Sequence, residues 1–315
     1  MRILWLTIDR SKRAAKHFDV FRKAVSKIAK VDVVKIPRKI CSLSFNAVDF
    51  VFCDAFEVRR RPGQVKGFDD TAFAYFDYDW SRIKKPRGIL LEDLHGERPQ
   101  EASEKILEYG IDFVFYRYAL PFKRDYPNLI SNSTCFWLPH SVDTAFFKDR
   151  GVRDKDVLFV GRGGENGRWV YPYRYDIFQN LKDAAYFIHI PRPGDDETNP
   201  WPVGEEYAKV LSSAKICVTG GSRFNYPILK YIELPASGAL LISNWFEELE
   251  MLGFNSGKNM VALDFEKDLK EQVETWLNND LERIQVAEEG RKLIEERHSV
   301  EVRAKQFLNF IKTKI

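Results

Sequence analysis

The chain has 315 residues, 44% of them apolar, which is enough for two ordinary hydrophobic cores and fits two domains better than one. Basic residues number 49 against 46 acidic ones, and the resulting +3 is spread along the chain, so neither a general polyanion binder nor a nucleic-acid partner is expected. Cys41, Cys53, Cys135 and Cys217 stand far apart with no CxxC or Cys/His cluster, and they read as reduced thiols of a cytoplasmic protein rather than zinc ligands or disulfides.

The first apolar run, "RILWLTI", stops at Asp9 and Arg10, too soon for a signal peptide, and predicts a strand. No apolar stretch approaches the roughly 18 residues of a bilayer span, so a soluble protein is expected, with peripheral contact at the cytoplasmic face of a membrane left open. Residues 11–29 then read as a helix with a basic face. "VDVVKI", "VDFVFCD" and "GILLED" follow as strands, "PQEASEKILEYG" as a helix and "DFVFYR" as a strand. This alternation is that of βαβ units around a parallel sheet. Residues 136–156 supply one more strand, a turn and a charged connection.

The pattern then restarts. "DVLFV" predicts a strand, "YFIHI" another, "EEYAKVLSSA" a helix, and "KICV", "ALLIS" and "MVALD" three more strands. From Asp268 onward the periodicity is helical, with Leu269, Val273, Trp276 and Leu277 on one face, and a last amphipathic helix carries Val302, Phe307, Leu308 and Ile311. Two α/β halves result, with no internal repeat.

Two glycine-rich corners follow strands of the second half. "GRGGENGR" runs from Gly161 through Arg162 and Gly163 to Arg168, and a helix-like segment containing Arg174 comes next. Glycines that uncover backbone N–H groups ahead of a helix N-terminus, with arginines beside them, can cradle a phosphate; the same loop serves equally as a tight turn. It is neither a Walker A loop nor a GxGxxG fingerprint. The second corner, "TGGSRFNYP", carries Gly221, Ser222, Arg223 and Asn225. In open α/β sheets ligands bind at the carboxyl ends of strands, where both corners belong. Downstream, "LKYIELPASGALLIS" places Lys230 and Glu233 ahead of Pro235, Ala236, Ser237, Gly238 and Ala239. Pro and Gly are poor helix formers, so this patch reads as a place of close backbone approach. Glu233 can take two hydrogen bonds from a ribose diol or stand solvated on the surface.

These segments carry a family resemblance. "LKYIELPASGALLIS" is similar to the donor-site signature of GT-B glycosyltransferases, in particular the family 4-type enzymes and the spore-maturation-like group. "LPHSVDTAFF", "VLFVGRGG" and "EYAKVLSSAKICV" resemble the segments that close the N-terminal domain, open the C-terminal domain and precede the donor site in that superfamily. The likeness covers residue 136 to the end; the first half resembles the fold only.

The resemblance implies an α/β chain of GT-B fold: two Rossmann-like domains facing a central cleft. It assigns residues 1–150 to acceptor binding, 151–298 to the nucleotide-sugar donor, and 299–315 to a C-terminal helix crossing back to the N-terminal domain. It implies transfer of a sugar from a UDP- or GDP-linked donor, with no cofactor and no metal, to a glycan, lipid-linked glycan or other surface acceptor, as in cell-surface polysaccharide synthesis. Glu233 matches the ribose-binding glutamate, Lys230 the basic residue ahead of it, and Arg174 the arginine facing the diphosphate. Gly161, Arg162, Gly163, Arg168, Gly221, Ser222 and Arg223 complete the donor side. Asn225 departs from the pattern, standing where many family 4 enzymes have a second glutamate.

In the first half, Asp93 and His95 of "LLEDLHGERP" follow a strand-like run and are the candidates for proton transfer or for binding the reacting sugar. His140 is expected to hydrogen-bond near the domain junction. Asp77 and Asp79 spell a DxD, the metal motif of a different glycosyltransferase fold, and are not assigned a metal. The basic stretches 10–16 and 58–63 suit an anionic acceptor or lipid headgroups, or a solvated surface. An epimerase of the same fold and a non-catalytic nucleotide-sugar-binding scaffold are the alternative readings.

Overall fold

Every strand expected from an apolar run forms. The structure, a computed structural model, describes residues 1–7, 17–35, 45, 47–56, 83–92, 99–191 and 202–315. Asp93 and His95, the Asp77/Asp79 pair, Cys41, and the basic stretches 10–16 and 58–63 lie outside the described residues. The chain divides into two compact units, the first made of Met1–Pro139 with Arg303–Ile315, the second of His140–Val302.

In the first unit, β1 (Arg2–Thr7), β2 (Lys30–Lys35), β3 (Phe50–Phe56), β4 (Arg87–Leu91), β5 (Phe113–Tyr116) and β6 (Thr134–Trp137) make a parallel sheet in the order β2-β1-β3-β4-β5-β6. In the inner strands, residues 50–54 of β3, 88–91 of β4 and all of β5 are buried and apolar but for Asp54, as strands covered on both faces must be nearly throughout. The helices α1 (His17–Ser26) and α2 (Pro99–Glu108) fall within the segments that the periodicity marked. Two short helices, α3 (Ala119–Asp125) and α4 (Pro127–Asn132), were not legible in "YALPFKRDYPNLISNS". Pro127 opens α4 at its first turn, where the missing N–H costs nothing.

The second unit holds a parallel sheet of β7 (Lys155–Val160), β8 (Phe187–Ile190), β9 (Ala214–Val218), β10 (Leu240–Ser243) and β11 (Val261–Ala262), ordered β11-β10-β9-β7-β8. Around it run α5 (Glu165–Arg168), α6 (Pro172–Leu181), α7 (Glu205–Ser212), α8 (Lys230–Ala236) and α9 (Glu247–Leu252), followed by α10 (Leu269–Asn278) and α11 (Asp280–Arg297). The helical stretch expected from Asp268 thus holds two helices before the last one. Asp268 and Asn279 each accept a backbone N–H three residues on, from Glu271 and Glu282, and so start two helices. His140–Val142 belongs to this unit because Val142 bonds the backbone on both sides of Ser299: its amide donates to the His298 carbonyl and its carbonyl accepts from Val300.

The last helix, α12 (Val300–Lys314), starts in the second unit and ends in the first. Phe307 is completely buried there, with ring centroids 4.9 Å from Phe52 and Phe115, 5.7 Å from Phe21 and 5.9 Å from Trp5. Edge-to-face aromatic pairs of this kind add to the burial energy of the rings themselves. Phe310 extends the cluster by stacking on Phe136 at 4.2 Å.

Candidate functional site: the carboxyl ends of β7 and β9

In the second sheet the strand order reverses at β7, which has β8 on one side and β9 on the other. Chains leaving β7 and β9 turn to opposite faces of the sheet, and the gap between them at the carboxyl ends is where a ligand fits an open α/β sheet. Gly161 leaves β7 there and Gly220 and Gly221 leave β9.

Gly161 adopts φ +118°, a conformation that a side chain resists. A Cβ at this position would lie 3.4 Å from Arg174 Nη1 and 3.5 Å from Lys230 Cε, so the glycine keeps open the space beside two cations. Its peptide is fixed rather than free: the amide donates to the Ile190 carbonyl at 2.9 Å, and the carbonyl accepts from His189 Nε2 at 2.8 Å. Gly221 is likewise engaged, its amide donating to Asn244 Oδ1 at 2.8 Å. Gly161 and Gly221 thus supply room, not donors.

Arg174 sits in the first turn of α6 with 5% of its surface exposed. Its Nε donates to the Gly220 carbonyl at 3.0 Å, and its guanidinium lies over the Tyr171 ring at 4.3 Å. A Cβ on Gly220 would come within 2.9 Å of the Arg174 amide, which is why the second corner also begins with glycine. No carboxylate among the described residues bonds or pairs with Arg174. Burial consequently pulls its pKa below the usual guanidinium range, and the nearby hydroxyls of Tyr171, Tyr231 and Tyr207 offset this only in part.

Glu233 and Lys230 lie one turn apart on α8. Glu233 is buried, which excludes a solvated surface glutamate, and Tyr207 of α7 donates its hydroxyl to Oε2 at 3.1 Å. Lys230 Nζ stands 5.9 Å from the centroid of the same tyrosine ring. Of the small-residue patch after Glu233, only Pro235 and Ala236 lie in this helix; Ser237 caps it and Gly238 leaves it at φ +82°, so the patch does end the helix, although Pro235 stands inside it. The close approach it permits is to α11: Pro235 Cβ lies 3.4 Å from where a Cβ on Gly290 would stand, and Ser237 Oγ caps the Glu233 carbonyl at 3.0 Å. At Pro235 packing overrode the propensity.

Gly161, Arg174, Lys230 and Glu233 are therefore drawn to one place, and the other sequence candidates are arranged around them. Gly163 packs against Phe178, which a Cβ would meet at 2.7 Å. Arg162 is half-buried. Arg168 is exposed, pairs with Glu165 at 3.8 Å and covers the Tyr175 ring at 4.8 Å. Arg223 stacks on the exposed Trp169 at 3.5 Å. Ser222 is buried, with its Oγ accepting from the Phe224 amide at 3.2 Å. Asn225 is an exposed turn residue at φ +54°, a left-handed conformation that asparagine tolerates better than most residues.

Sequence reasoning missed Tyr207, Tyr171, and the buried trio Tyr231, Ser243 and Asn244. The Tyr231 hydroxyl bonds Ser243 Oγ and, at 3.0 Å, Asn244 Oδ1, which holds the Gly221 corner against β10. Nothing in the local pattern of "EEYAKV" distinguishes Tyr207 from an ordinary core-facing aromatic.

In the first unit, the residue just before Asp93 is engaged. Glu92, at the carboxyl end of β4, accepts from Arg117 Nε at 2.8 Å and bonds His17 Nε2 at 3.1 Å. Arg117 also donates to the Leu138 carbonyl at 3.0 Å.

Two parallel-sheet units, one with cations and a buried carboxylate at its strand-reversal point, define an α/β protein with a charged site at the strand ends. Residues 164–309 match the family described as glycosyl transferase-like. HepE of Anabaena, solved with UDP and glucose and also with UDP-glucose, is similar in structure with a TM-score of 0.66 and 10% identity, over 99% of this chain and 100% of that one. Sucrose-phosphate synthase from Thermosynechococcus elongatus gives a TM-score of 0.67 at 11% identity, over 99% of each chain. TarM of S. aureus, solved with fondaparinux, alpha-GlcNAc-glycerol and UDP, gives 0.53 at 16% identity, over 82% of this chain and 54% of that one. No curated protein matches the sequence. The structural likenesses show a GT-B fold, and residues 164–309 carry the likeness to the glycosyl transferase-like family.

Proposed function

We propose that the second unit binds a nucleotide-sugar donor at the carboxyl ends of β7 and β9, with Arg174 and Lys230 on the diphosphate, Gly161 making room for it, and Glu233 on the ribose diol. One observation carries this reading: a buried guanidinium that no carboxylate among the described residues pairs with, beside a second cation and a glycine whose side chain would fill the space. A buried charge without an opposite partner is costly, and an anionic ligand is what relieves it. As the sugar leaves, negative charge builds on the nucleoside diphosphate, and cations already in place stabilise that charge without reorganising. Arg174 and Lys230 supply the counter-charge a metal supplies in other designs, so transfer is expected to proceed unchanged in a chelator.

That HepE was solved with UDP-glucose, and TarM with UDP, supports a uridine-linked donor. The acceptor is a glycan or lipid-linked glycan, handled by residues of the first unit near the end of β4, where Glu92, Arg117 and His17 meet and Asp93 and His95 follow in sequence. No helix among the described residues is long and apolar enough to cross a membrane. The testing experiment is a thermal-shift series with UDP, GDP, CDP and ADP and their sugars on the wild type and on Glu233→Ala. Stabilisation by one nucleotide series that Glu233→Ala loses supports the donor site and names the base. No shift with any nucleotide refutes it. Free epimerised sugar formed without acceptor would redirect the reading to an epimerase.

A further inference from the structure

Glu233 has three side-chain torsions, and burial alone does not choose where its two oxygens point. The chain supplies a hydrogen bond that does. The Tyr207 hydroxyl donates to Oε2 at 3.1 Å from the neighbouring helix α7, and the tyrosine is itself held, with its ring edge-on to Phe147 at 6.0 Å and Lys230 Nζ 5.9 Å from its centroid. With one carboxylate oxygen tied and the tie coming from a ring with only two torsions, the direction of the other oxygen follows.

We propose that Tyr207 is the positioning residue of the donor site: it fixes the Glu233 carboxylate in the orientation that receives the ribose hydroxyls, and thereby sets the preference for a ribonucleotide over a deoxyribonucleotide. The inference rests on the reading of Glu233 as the ribose ligand. It goes beyond that reading in assigning selectivity to a residue that does not touch the sugar. Burial and the adjacent Glu233 charge hold the Tyr207 hydroxyl well above the ordinary phenol range, so it remains a proton donor to the carboxylate through any working pH. Helix α8 also carries Lys230, whose Nζ lies 5.9 Å from the Tyr207 ring, so one tyrosine links the ribose side of the site to the diphosphate side.

The test compares the affinities of UDP and 2′-deoxy-UDP, by calorimetry, in the wild type, Tyr207→Phe, Glu233→Gln and the double variant; GDP and its 2′-deoxy analogue take their place if guanosine is the base. The wild type is expected to favour the ribonucleotide by roughly 12- to 160-fold, the worth of one hydrogen bond to a charged group. Tyr207→Phe is expected to bring that ratio close to one by weakening the ribonucleotide more than the deoxynucleotide, which keeps only its 3′-hydroxyl for Glu233, and to add nothing further in the Glu233→Gln background. A merely structural tyrosine would weaken both nucleotides alike; that result, or an unchanged ratio in Tyr207→Phe, overturns the proposal. Equal binding of the two nucleotides by the wild type would instead refute the ribose role of Glu233, and the positioning role with it. Should Tyr207→Phe melt below the assay temperature, the titrations are run below its melting point, with the same two outcomes.

Discussion

Replacing Arg174 with methionine separates ligand binding from folding. In the unliganded protein the guanidinium is 5% exposed and meets one carbonyl, that of Gly220 at 3.0 Å, and one ring, that of Tyr171 at 4.3 Å. Arg174→Met leaves the Gly220 carbonyl without its donor, a loss of about 1–3 kcal/mol. Against this, exchanging buried charges for an apolar side chain of similar volume is neutral or stabilising by about 1–4 kcal/mol. The unliganded variant should therefore melt within a few degrees of the wild type. The ligand response should change much more. A nucleotide at a hundredfold over its dissociation constant stabilises the wild type by about 2.7 kcal/mol. Removing a charge-assisted bond worth about 1.5–3 kcal/mol weakens binding roughly 12- to 160-fold, which leaves a stabilisation of about 0.3–1.3 kcal/mol at the same concentration. At about 2–4 °C per kcal/mol for a unit of this size, the shift falls from about 5–10 °C to about 1–5 °C. The assay is differential scanning fluorimetry with and without UDP. A variant that melts far lower when empty, yet keeps the whole nucleotide shift, would show Arg174 to be a structural residue and would refute the anion-site reasoning.

Gly161→Ala should weaken UDP binding in a calorimetric titration and also lower stability by about 1–2 kcal/mol, because φ +118° is strained for any side chain and the methyl group lies 3.4 Å from Arg174 Nη1. Phe307→Ala should destabilise the first unit by about 3–5 kcal/mol in a denaturant titration, since it empties the fully buried centre of the cluster formed with Trp5, Phe21, Phe52 and Phe115. Burial pushes the Cys217 thiol from 9.0 up to about 12, so peptide mapping after iodoacetamide at pH 8 should find it unmodified in the native protein and modified in denaturant. The unfolded thiol ionises near pH 9 and the folded one near 12, so the stability this thiol contributes is whole below pH 9 and is lost as the pH rises through that interval.

The strands were legible because a buried parallel strand must be an unbroken apolar run, and "DVLFV", "KICV" and "ALLIS" leave no alternative. The helix boundaries were less so. Asp268 and Asn279 are ordinary capping residues whose role appears only when the backbone turns at each, and Pro235 reads as a breaker until α11 supplies a glycine for it to pack on.

Residue identities and order along the chain announced the donor-site candidates Gly161, Arg174, Lys230 and Glu233, and through their resemblance a sugar-transferring chemistry. They did not reveal that the Gly161 and Gly221 amides are already bonded, to Ile190 and Asn244, so that those glycines offer space instead of donors. Nor did they reveal Tyr207, 26 residues before Glu233 and joined to it only because α7 and α8 flank the same strand. A sequence determines which side chains carry charge and where the backbone can bend. Which charges are left without partners once buried is a sum over the whole neighbourhood, and only the tertiary structure performs it.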